Sequence, residues 1–485
     1  MAEARYDGLK VTVMGLGLNG GGLASTRYFA SRGAKVTVTD LRLEEVLEPT
    51  LTQLQGLDLR FVLGRHEEED FRSADLVVKN PAVRPGNPFL ALAKRVETDL
   101  SVFLAALAEP DRKNPVLAVT GSKGKSTTAT ALHALLSSQN PGARLGGNIT
   151  VSPLSFLDEL QPGAPVVLEL SSWQLADLKG RGLLRPQVAA VTNLLWDHMN
   201  AYATQEAYAD DKAVVFEGLT PQAWSLVNVD SPWGGWFSAR SFGRRALLSA
   251  CGRPEGIAAA RFWLEPSGLE GFGEWTDANG LNRTAQLLPT QLLVPGAPFR
   301  QNCLMAAAMA VLWNIDPALV PGTLAGFGGV EHRLEKFHTW QGIDFYNDTT
   351  ATIPEAAAAS VAAFANVSQA GALYPSPVHW IGGGTDKNLD LSAFETMSRP
   401  ASVTLLRGSA TDRILPLLHA RGWVCNGPFS SLEEALDALA PLAKPGSVVL
   451  LSPGAASFEL FKNEFDRGNT FKALVRARLP GPTTG

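Results

Sequence analysis

The stretch "VTGSKGKSTTAT", residues 119–130, sets Gly121 and Gly124 ahead of Lys125, Ser126 and Thr127 where a strand gives way to a helix. Glycines at such a junction let backbone N–H groups turn toward an anion. The following helix presents the positive end of its dipole to the same point. Lys125 can neutralise β- and γ-phosphate charge, and Ser126 or Thr127 can ligate Mg²⁺. The spacing is shorter than the common G-x-x-x-x-G-K-[ST] loop, which would need glycine where Val119 stands. A glycine-rich turn that happens to contain lysine is the competing reading. Strand, G-x-x-G-K-S-T and helix in register favour a nucleotide site. Two more clusters follow. "LELSSWQL" places Glu169 in an apolar run, where an unpaired carboxylate is costly. At a strand end it suits Mg²⁺, with a structural salt bridge as the alternative. "TNLLWDHMNAY" offers Asn193, Asp197 and His198 after another strand. These residues fit either a second metal site or an ordinary structural histidine.

The elements that must position these residues read as alternating strands and helices. "LKVTVMG", "AKVTVTD" and "ADLVVKNPA" are strands, residues from Gly20 to about Arg32 form a helix, and Thr98 is placed to N-cap the helix in "ETDLSVFLAALAEP". The charged, proline-bounded "EPDRKNP" marks a domain border. A second block opens at "PVLAVTG" and continues through the apolar strands "PVVLELSS", "VAAVTNL" and "SLVNVD". Such runs alternating with helices imply a mostly parallel sheet with ligands at the carboxyl ends of its strands. Residues from about Trp236 to Pro295 read as peripheral strands and loops, and "QNCLMAAAMAVLW" as a closing helix. A third α/β block starts near "GFGGVEHRLEKF", with strands "VHWIGGG", "SVTLLRG" and "SVVLLSPG". The expected architecture is therefore α/β in three domains, residues 1–112, 113–327 and 328–485. The first and last are Rossmann-like, and the middle one is a P-loop ATPase-type, mostly parallel sheet.

Bulk composition excludes several classes. At 485 residues, 45% hydrophobic and 18% charged, the chain is globular. A net charge of -5 with no long basic run argues against a dedicated nucleic-acid binder. Three scattered cysteines give neither a zinc site nor a disulfide framework. The N-terminus lacks a secretory pattern, and no apolar run reaches the roughly 18 residues a membrane span needs. A cytoplasmic protein is expected.

The three clusters, in this order, resemble the Mur ligase superfamily of ATP-dependent amide-forming enzymes. That family pairs a short G-x-x-G-K-[ST] loop with a later E-x-S-S-[FW]-Q and an N-[VIL]-x-x-D-H, and Val119 is then no anomaly. Lys212 lies 14 residues after His198, where the family keeps a lysine that becomes carbamylated. The resemblance implies ATP contacts from Gly121, Ser122, Lys123, Gly124, Lys125, Ser126, Thr127, Asn302, Arg333 and Asp348. It implies two Mg²⁺ sites, one on Ser126 and Glu169, the other on His198 with carbamylated Lys212. Lys125, Glu169, His198 and Lys212 become the catalytic set.

Within the superfamily the resemblance is to the branch that adds D-glutamate to UDP-N-acetylmuramoyl-L-alanine. "VMGLGLNGGGLA" holds Gly15, Gly17 and Gly20, with Asp40 at the end of the next strand. Alone, that G-x-G-x-x-G would suggest NAD. Before an ATP-dependent ligase core it looks like the branch's UDP site, implying Gly17, Leu18, Asn19, Asp40, Arg42, Asn80, Asn148 and Ser171. "YNDTTATIPEA", "IGGGTDKNLD" and "LSPGAASFELFKNEFDRG" resemble the D-glutamate-gripping segments, implying Thr352, Lys387, Ser457 and Phe458. Departures stand at Lys123 for Asn, Thr150 for Gly, Met305 for Asn, Thr350 for Lys and Ile353 for Asn, and an expected aromatic is displaced to Phe465. The Thr350 change removes a cation near the glutamate pocket. The implied partners are small molecules only (the UDP-sugar peptide, D-glutamate and ATP), and the implied state is a monomer. Another Mur-superfamily amide ligase, including a folylpolyglutamate synthase, is the near alternative. An NAD-binding protein without ligase chemistry is the distant one.

Overall fold

Val188–Val191 is apolar throughout, Val116–Thr120 is apolar up to its closing threonine, and every residue in both is buried. A strand covered on both faces has no polar side to show. The computed structural model describes residues 6–18, 20–84, 86–149, 151–195, 202–277, 279–365 and 376–480. Its strands form three sheets.

The first sheet is built from β1 (Lys10–Met14), β2 (Lys35–Asp40), β3 (Leu59–Leu63), β4 (Leu76–Lys79) and β5 (Val96–Glu97), in the order β3-β2-β1-β4-β5. All of its pairings are parallel. The second has nine strands: β6 (Val116–Thr120), β7 (Arg144–Gly147), β8 (Val166–Glu169), β9 (Val188–Val191), β10 (Trp224–Asn228), β11 (Arg244–Ser249), β12 (Ala260–Leu264), β13 (Gly271–Thr276) and β14 (Asn282–Leu288). Their order is β14-β13-β12-β11-β10-β9-β6-β8-β7, and the pairs from β7 to β12 are parallel. The third holds β15 (Glu335–Trp340), β16 (Ile343–Asn347), β17 (Val378–Gly382), β18 (Ser402–Leu406), β19 (Cys425–Phe429) and β20 (Val448–Leu451). Its order is β15-β16-β20-β17-β18-β19, parallel except for the antiparallel β15–β16 pair.

Each sheet has a point where chain order reverses: β1 lies between β2 and β4, β6 between β8 and β9, and β20 between β16 and β17. At such switch points the loops leaving neighbouring strands part, and a crevice opens at the carboxyl ends. Many of the candidate residues come from these loops, while Lys212 and Asn302 lie on helices. The stretch read as peripheral strands and loops carries a helix, Gly234–Arg240, and four strands that continue the nine-stranded sheet. In β12 and β13 buried and half-buried residues alternate. A sheet with one better-covered face produces that pattern.

The chain divides into two compact units. One comprises Met1–Trp263, Phe272–Ala285 and Leu304–Leu319, and the other Leu264–Gly271, Gln286–Cys303 and Val320–Gly485. Among the described residues no helix is long and apolar enough to cross a membrane. Thr98 caps the helix Asp99–Leu107 as its sequence suggested. Its Oγ1 accepts from the Ser101 amide at 3.1 Å, and Ser101 Oγ accepts in return from the Thr98 amide at 2.8 Å.

Candidate active site

In the first unit the phosphate loop leaves β6 and enters the helix Lys125–Ser137 through Gly124, whose φ is +83°. Gly121 must be glycine. Its φ is +144°, and a Cβ there would lie 1.9 Å from Thr192 Oγ1. The loop is strapped to the end of β9. The Ser122 amide donates to Asn193 O at 2.9 Å, the Lys123 amide to Asn193 Oδ1 at 3.0 Å, and Thr192 Oγ1 to Lys123 O at 2.7 Å. Lys123 thus contributes its backbone to the strap, while its side chain is exposed. Two ammonium groups meet at one carbonyl: Lys125 Nζ donates to Gly121 O at 3.0 Å, and the buried Lys212 Nζ at 2.9 Å. Lys125 also donates to Ser122 O at 3.1 Å. Lys212 lies over the Tyr208 ring, 4.4 Å from its centroid, and the Tyr208 hydroxyl is 3.2 Å from Ser122 Oγ. Sequence reasoning missed Tyr208. Its signal was its place one helical turn before Lys212.

Glu169 ends β8 and is 1% exposed. Oε1 accepts from Asn148 Nδ2 at 3.1 Å, whereas Oε2 is buried with no hydrogen-bond partner. No lysine or arginine pairs with it among the described salt bridges, so the salt-bridge reading fails. An orphaned carboxylate oxygen beside a phosphate loop fits the hard-cation chemistry of Mg²⁺. Gly147 lets the Asn148 segment lie against Glu169, since a Cβ at Gly147 would be 2.2 Å from Glu169 O. Asp197 and His198 lie outside the described residues, as does Asn19.

A cavity of about 340 Å³ opens here. Lys125, Lys212, Asn80, Asn148 and Ser171 line it together. Ser171 also caps the short helix Ser172–Ala176, accepting from the Gln174 amide at 3.2 Å. Gly17, Leu18, Asp40 and Arg42 do not line this cavity. Asp40 is buried and organises its own loop: Oδ2 accepts from the Gly17 amide at 3.0 Å and Oδ1 from the Arg42 amide at 2.9 Å. Leu18 is exposed, and the Arg42 guanidinium is 3.9 Å from Asp40 Oδ2.

In the second unit, Asn302 lies on the helix Ala297–Leu312, and Arg333 is exposed beyond His332. His332 and Leu334 both have positive φ, +65° and +46°. Residues after β16 hold this unfavourable turn. Asp348 Oδ1 accepts from the Leu334 amide at 3.0 Å, and Thr350 Oγ1 donates to His332 O at 2.9 Å. Thr350, standing where a lysine was expected, is thus a clasp for the turn that carries Arg333. The loops after β17 and β20 are zipped by a reciprocal pair of amide bonds between Thr385 and Ala456, 2.9 and 3.1 Å. Beside them Ser457 Oγ is buried without a partner. The exposed Phe458 ring has Lys387 Nζ 5.5 Å from its centroid. Thr352 is half-buried, and its amide donates to Thr350 O at 2.9 Å. Arg467 is fully buried behind this segment and satisfies its guanidinium on Thr349 Oγ1 and on the carbonyls of Thr349, Ala455 and Ala456, at 2.9–3.2 Å. Burial lowers its pKa to about 10, which leaves it charged at neutral pH.

Burial pushes the Asp348 carboxyl up to about 6, against hydrogen bonds from Ser360, Ser452 and the Leu334 amide. A carboxyl whose folded-state pKa exceeds its unfolded value is stabilised by protonation. The contribution is complete below the ordinary aspartate value of 3.8 and is lost as pH rises through about 6. Urea unfolding from pH 4 to pH 7 should show this loss in the second unit, and Asp348→Asn should flatten it.

A shortened phosphate loop with two buried-side cations and an orphaned carboxylate defines a nucleotide-dependent enzyme of the α/β class. Comparison with known proteins gives its family. Residues 9–101 match the Mur ligase MurD-like N-terminal domain, and residues 119–310 match the Mur ligase middle domain. The chain belongs to the Mur ligase family. It is 38% identical to the UDP-N-acetylmuramoylalanine–D-glutamate ligase of Treponema pallidum (strain Nichols), over 98% of this chain and 99% of that protein. It is 39% identical to the protein of the same name from Borreliella afzelii (strain PKo), over 96% and 97%. Among solved structures, MurF from Acinetobacter baumannii shares the fold with a TM-score of 0.55 at 16% identity, covering 91% of each chain. MurF ligase from Thermotoga maritima in complex with ADP has a TM-score of 0.52 at 15% identity, covering 92% of this chain and 96% of that one.

Proposed function

We propose that this chain is an ATP-dependent ligase that joins D-glutamate to UDP-N-acetylmuramoyl-L-alanine, giving ADP and phosphate, as a cytoplasmic monomer in peptidoglycan precursor synthesis. Its domains are residues 1–112 for the UDP substrate, 113–327 for ATP and 328–485 for the amino acid. The observation that carries the reading is the cavity where Lys125 and Lys212 stand with Asn80, Asn148 and Ser171. It sets cations for a phosphoryl transfer beside hydrogen-bonding groups for a sugar nucleotide. The names of relatives sharing well over a third of their residues supply the amino acid.

The terminal carboxylate of the UDP substrate attacks the γ-phosphorus, and the bond to the ADP oxygen breaks. Lys125 and the N–H groups of the loop 121–127 hold the negative charge that develops on the transferring group. The amine of D-glutamate attacks the acyl phosphate. The tetrahedral intermediate then expels phosphate, and the amine gives up its proton. Lys387, Ser457, Phe458 and Thr352 orient the amino acid, and Asn302, Arg333 and Asp348 serve the nucleotide. Ser126 and Glu169 would hold one Mg²⁺, and His198 with Lys212 as a carbamate a second. When bound, the ions neutralise phosphate charge and align its oxygens.

Purified protein with Mg·ATP and UDP-N-acetylmuramoyl-L-alanine should release phosphate on addition of D-glutamate alone from a panel of amino acids. Release with L-lysine or D-alanyl-D-alanine instead would redirect the assignment. Lys212→Ala should lower kcat by about 10²-fold or more, with partial recovery on adding short-chain carboxylates. Unchanged activity would remove the carbamate from the scheme. Lys387→Ala should raise the KM for D-glutamate about tenfold or more, as loss of a charge-assisted bond requires. The KM for ATP should stay within about twofold, and an equal rise in both would take Lys387 out of the glutamate site.

A further inference from the structure

Asp99 also lines the cavity that holds Lys125 and Lys212, and it is buried. A carboxylate in a pocket built for a polyanion demands a reason, because it repels a diphosphate and is costly to desolvate. Burial raises its pKa, against hydrogen bonds from Ser152, the Leu100 amide and its own amide and the charge of Lys79. Its compensation inside the protein is incomplete. Oδ2 accepts from Ser152 Oγ at 2.7 Å and Oδ1 from the Leu100 amide at 2.8 Å. A carboxylate offers about four acceptor positions. The nearby Lys79 offsets part of this charge from a distance, but its own bonds go to Asp177 at 2.6 Å and Val83 O at 3.0 Å. The carboxylate also stands beside the start of the helix Gly21–Ala30, where a Cβ added at Gly21 would lie 3.6 Å from Oδ2. In dinucleotide-binding folds a ligand phosphate takes that place. An anion already there turns the spot from a phosphate receptor into a hydrogen-bond acceptor.

We infer that Asp99 is a specificity residue of this cavity, its carboxylate accepting a hydrogen bond from an uncharged hydroxyl or amide donor of the sugar nucleotide. The inference rests on the substrate class proposed above. Calorimetric titration of wild type, Asp99→Asn and Ser152→Ala with UDP-N-acetylmuramoyl-L-alanine and with UDP, without ATP, tests it. Wild type failing to bind either ligand would overturn the substrate assignment and the inference together. With wild type binding, Asp99→Asn should weaken affinity for the full substrate at least tenfold, and Ser152→Ala less than threefold. A matching loss for UDP puts the donor on the ribose, and a loss confined to the full substrate puts it on the amino sugar. Affinity of Asp99→Asn within threefold of wild type overturns the inference alone. So does a Ser152→Ala loss equal to that of Asp99→Asn, since Asp99 would then merely hold the loop. If Asp99→Asn lacks a cooperative thermal transition, wild type is titrated with the 2′-, 3′-, 4- and 6-deoxy analogues and with those N-methylated at the uracil, the acetamido group and the alanyl amide. At least one must bind tenfold more weakly, and uniform affinity refutes the idea.

Discussion

Lys125→Ala will stop phosphate release, by about 10³-fold or more, while leaving a folded protein. Removing one preorganised donor from a charge-stabilising site costs about 10²–10³ in kcat, and a full cation at a transferring phosphoryl group more. The fold should tolerate the change. The lysine gives up two bonds, to Gly121 O and Ser122 O, but Gly121 O keeps Lys212 and the loop keeps its straps to Asn193. A loss near 1 kcal/mol shifts the thermal midpoint by only about 2–4 °C in a protein of this kind. Phosphate release with D-glutamate and a thermal scan on the same preparation check both halves. Activity above a tenth of wild type would mean that this loop does not hold the transferring phosphate.

Arg467→Met should strongly destabilise the second unit. The methionine fills much of the volume but donates nothing. The carbonyls of Thr349 and Ala455 then go unmet in a place water does not reach, while Ala456 O keeps the Thr385 amide. Leaving buried acceptors unmet costs about 1–3 kcal/mol each, so a total near 3–5 kcal/mol is expected. That corresponds to roughly 6–20 °C in thermal midpoint. Because the same carbonyls shape the loops bearing Thr352 and Ser457, the KM for D-glutamate should rise as well. A midpoint within a degree of wild type would show that Arg467 is a passenger.

Much of this fold could be read from the sequence, for one reason. Strands such as Val188–Val191 and Val448–Leu451 are buried on both faces, so they announce themselves as unbroken apolar runs. Thr98 was legible as a cap because its partner, Ser101, sits three residues on. Strands β12 and β13 were harder, since alternating exposure mixes polar and aromatic residues into a pattern resembling loop. The phosphate loop and Glu169 were legible from local spacing. Arg467 was not, because its value lies in carbonyls of two loops distant in sequence. Asp99 was hidden by its neighbour: an acidic residue after a cap reads as helix-dipole decoration. Thr350 looked like a missing charge until its bond to His332 O gave it a mechanical role.

The close approach of Gly121 to Thr192 has a consequence for protein engineering. Because a Cβ at 121 would fall 1.9 Å from Thr192 Oγ1, and residues 122–123 are laced to 192–193, the module to transplant is larger than the twelve-residue motif. A chimera that grafts residues 119–130 alone would place the loop against a foreign strand end and lose its shape. One that carries Thr192 and Asn193 along should keep it. Directed evolution would meet the same constraint: a smaller residue at 192 would remove the clash but not the strain of a φ of +144°, so position 121 should stay glycine.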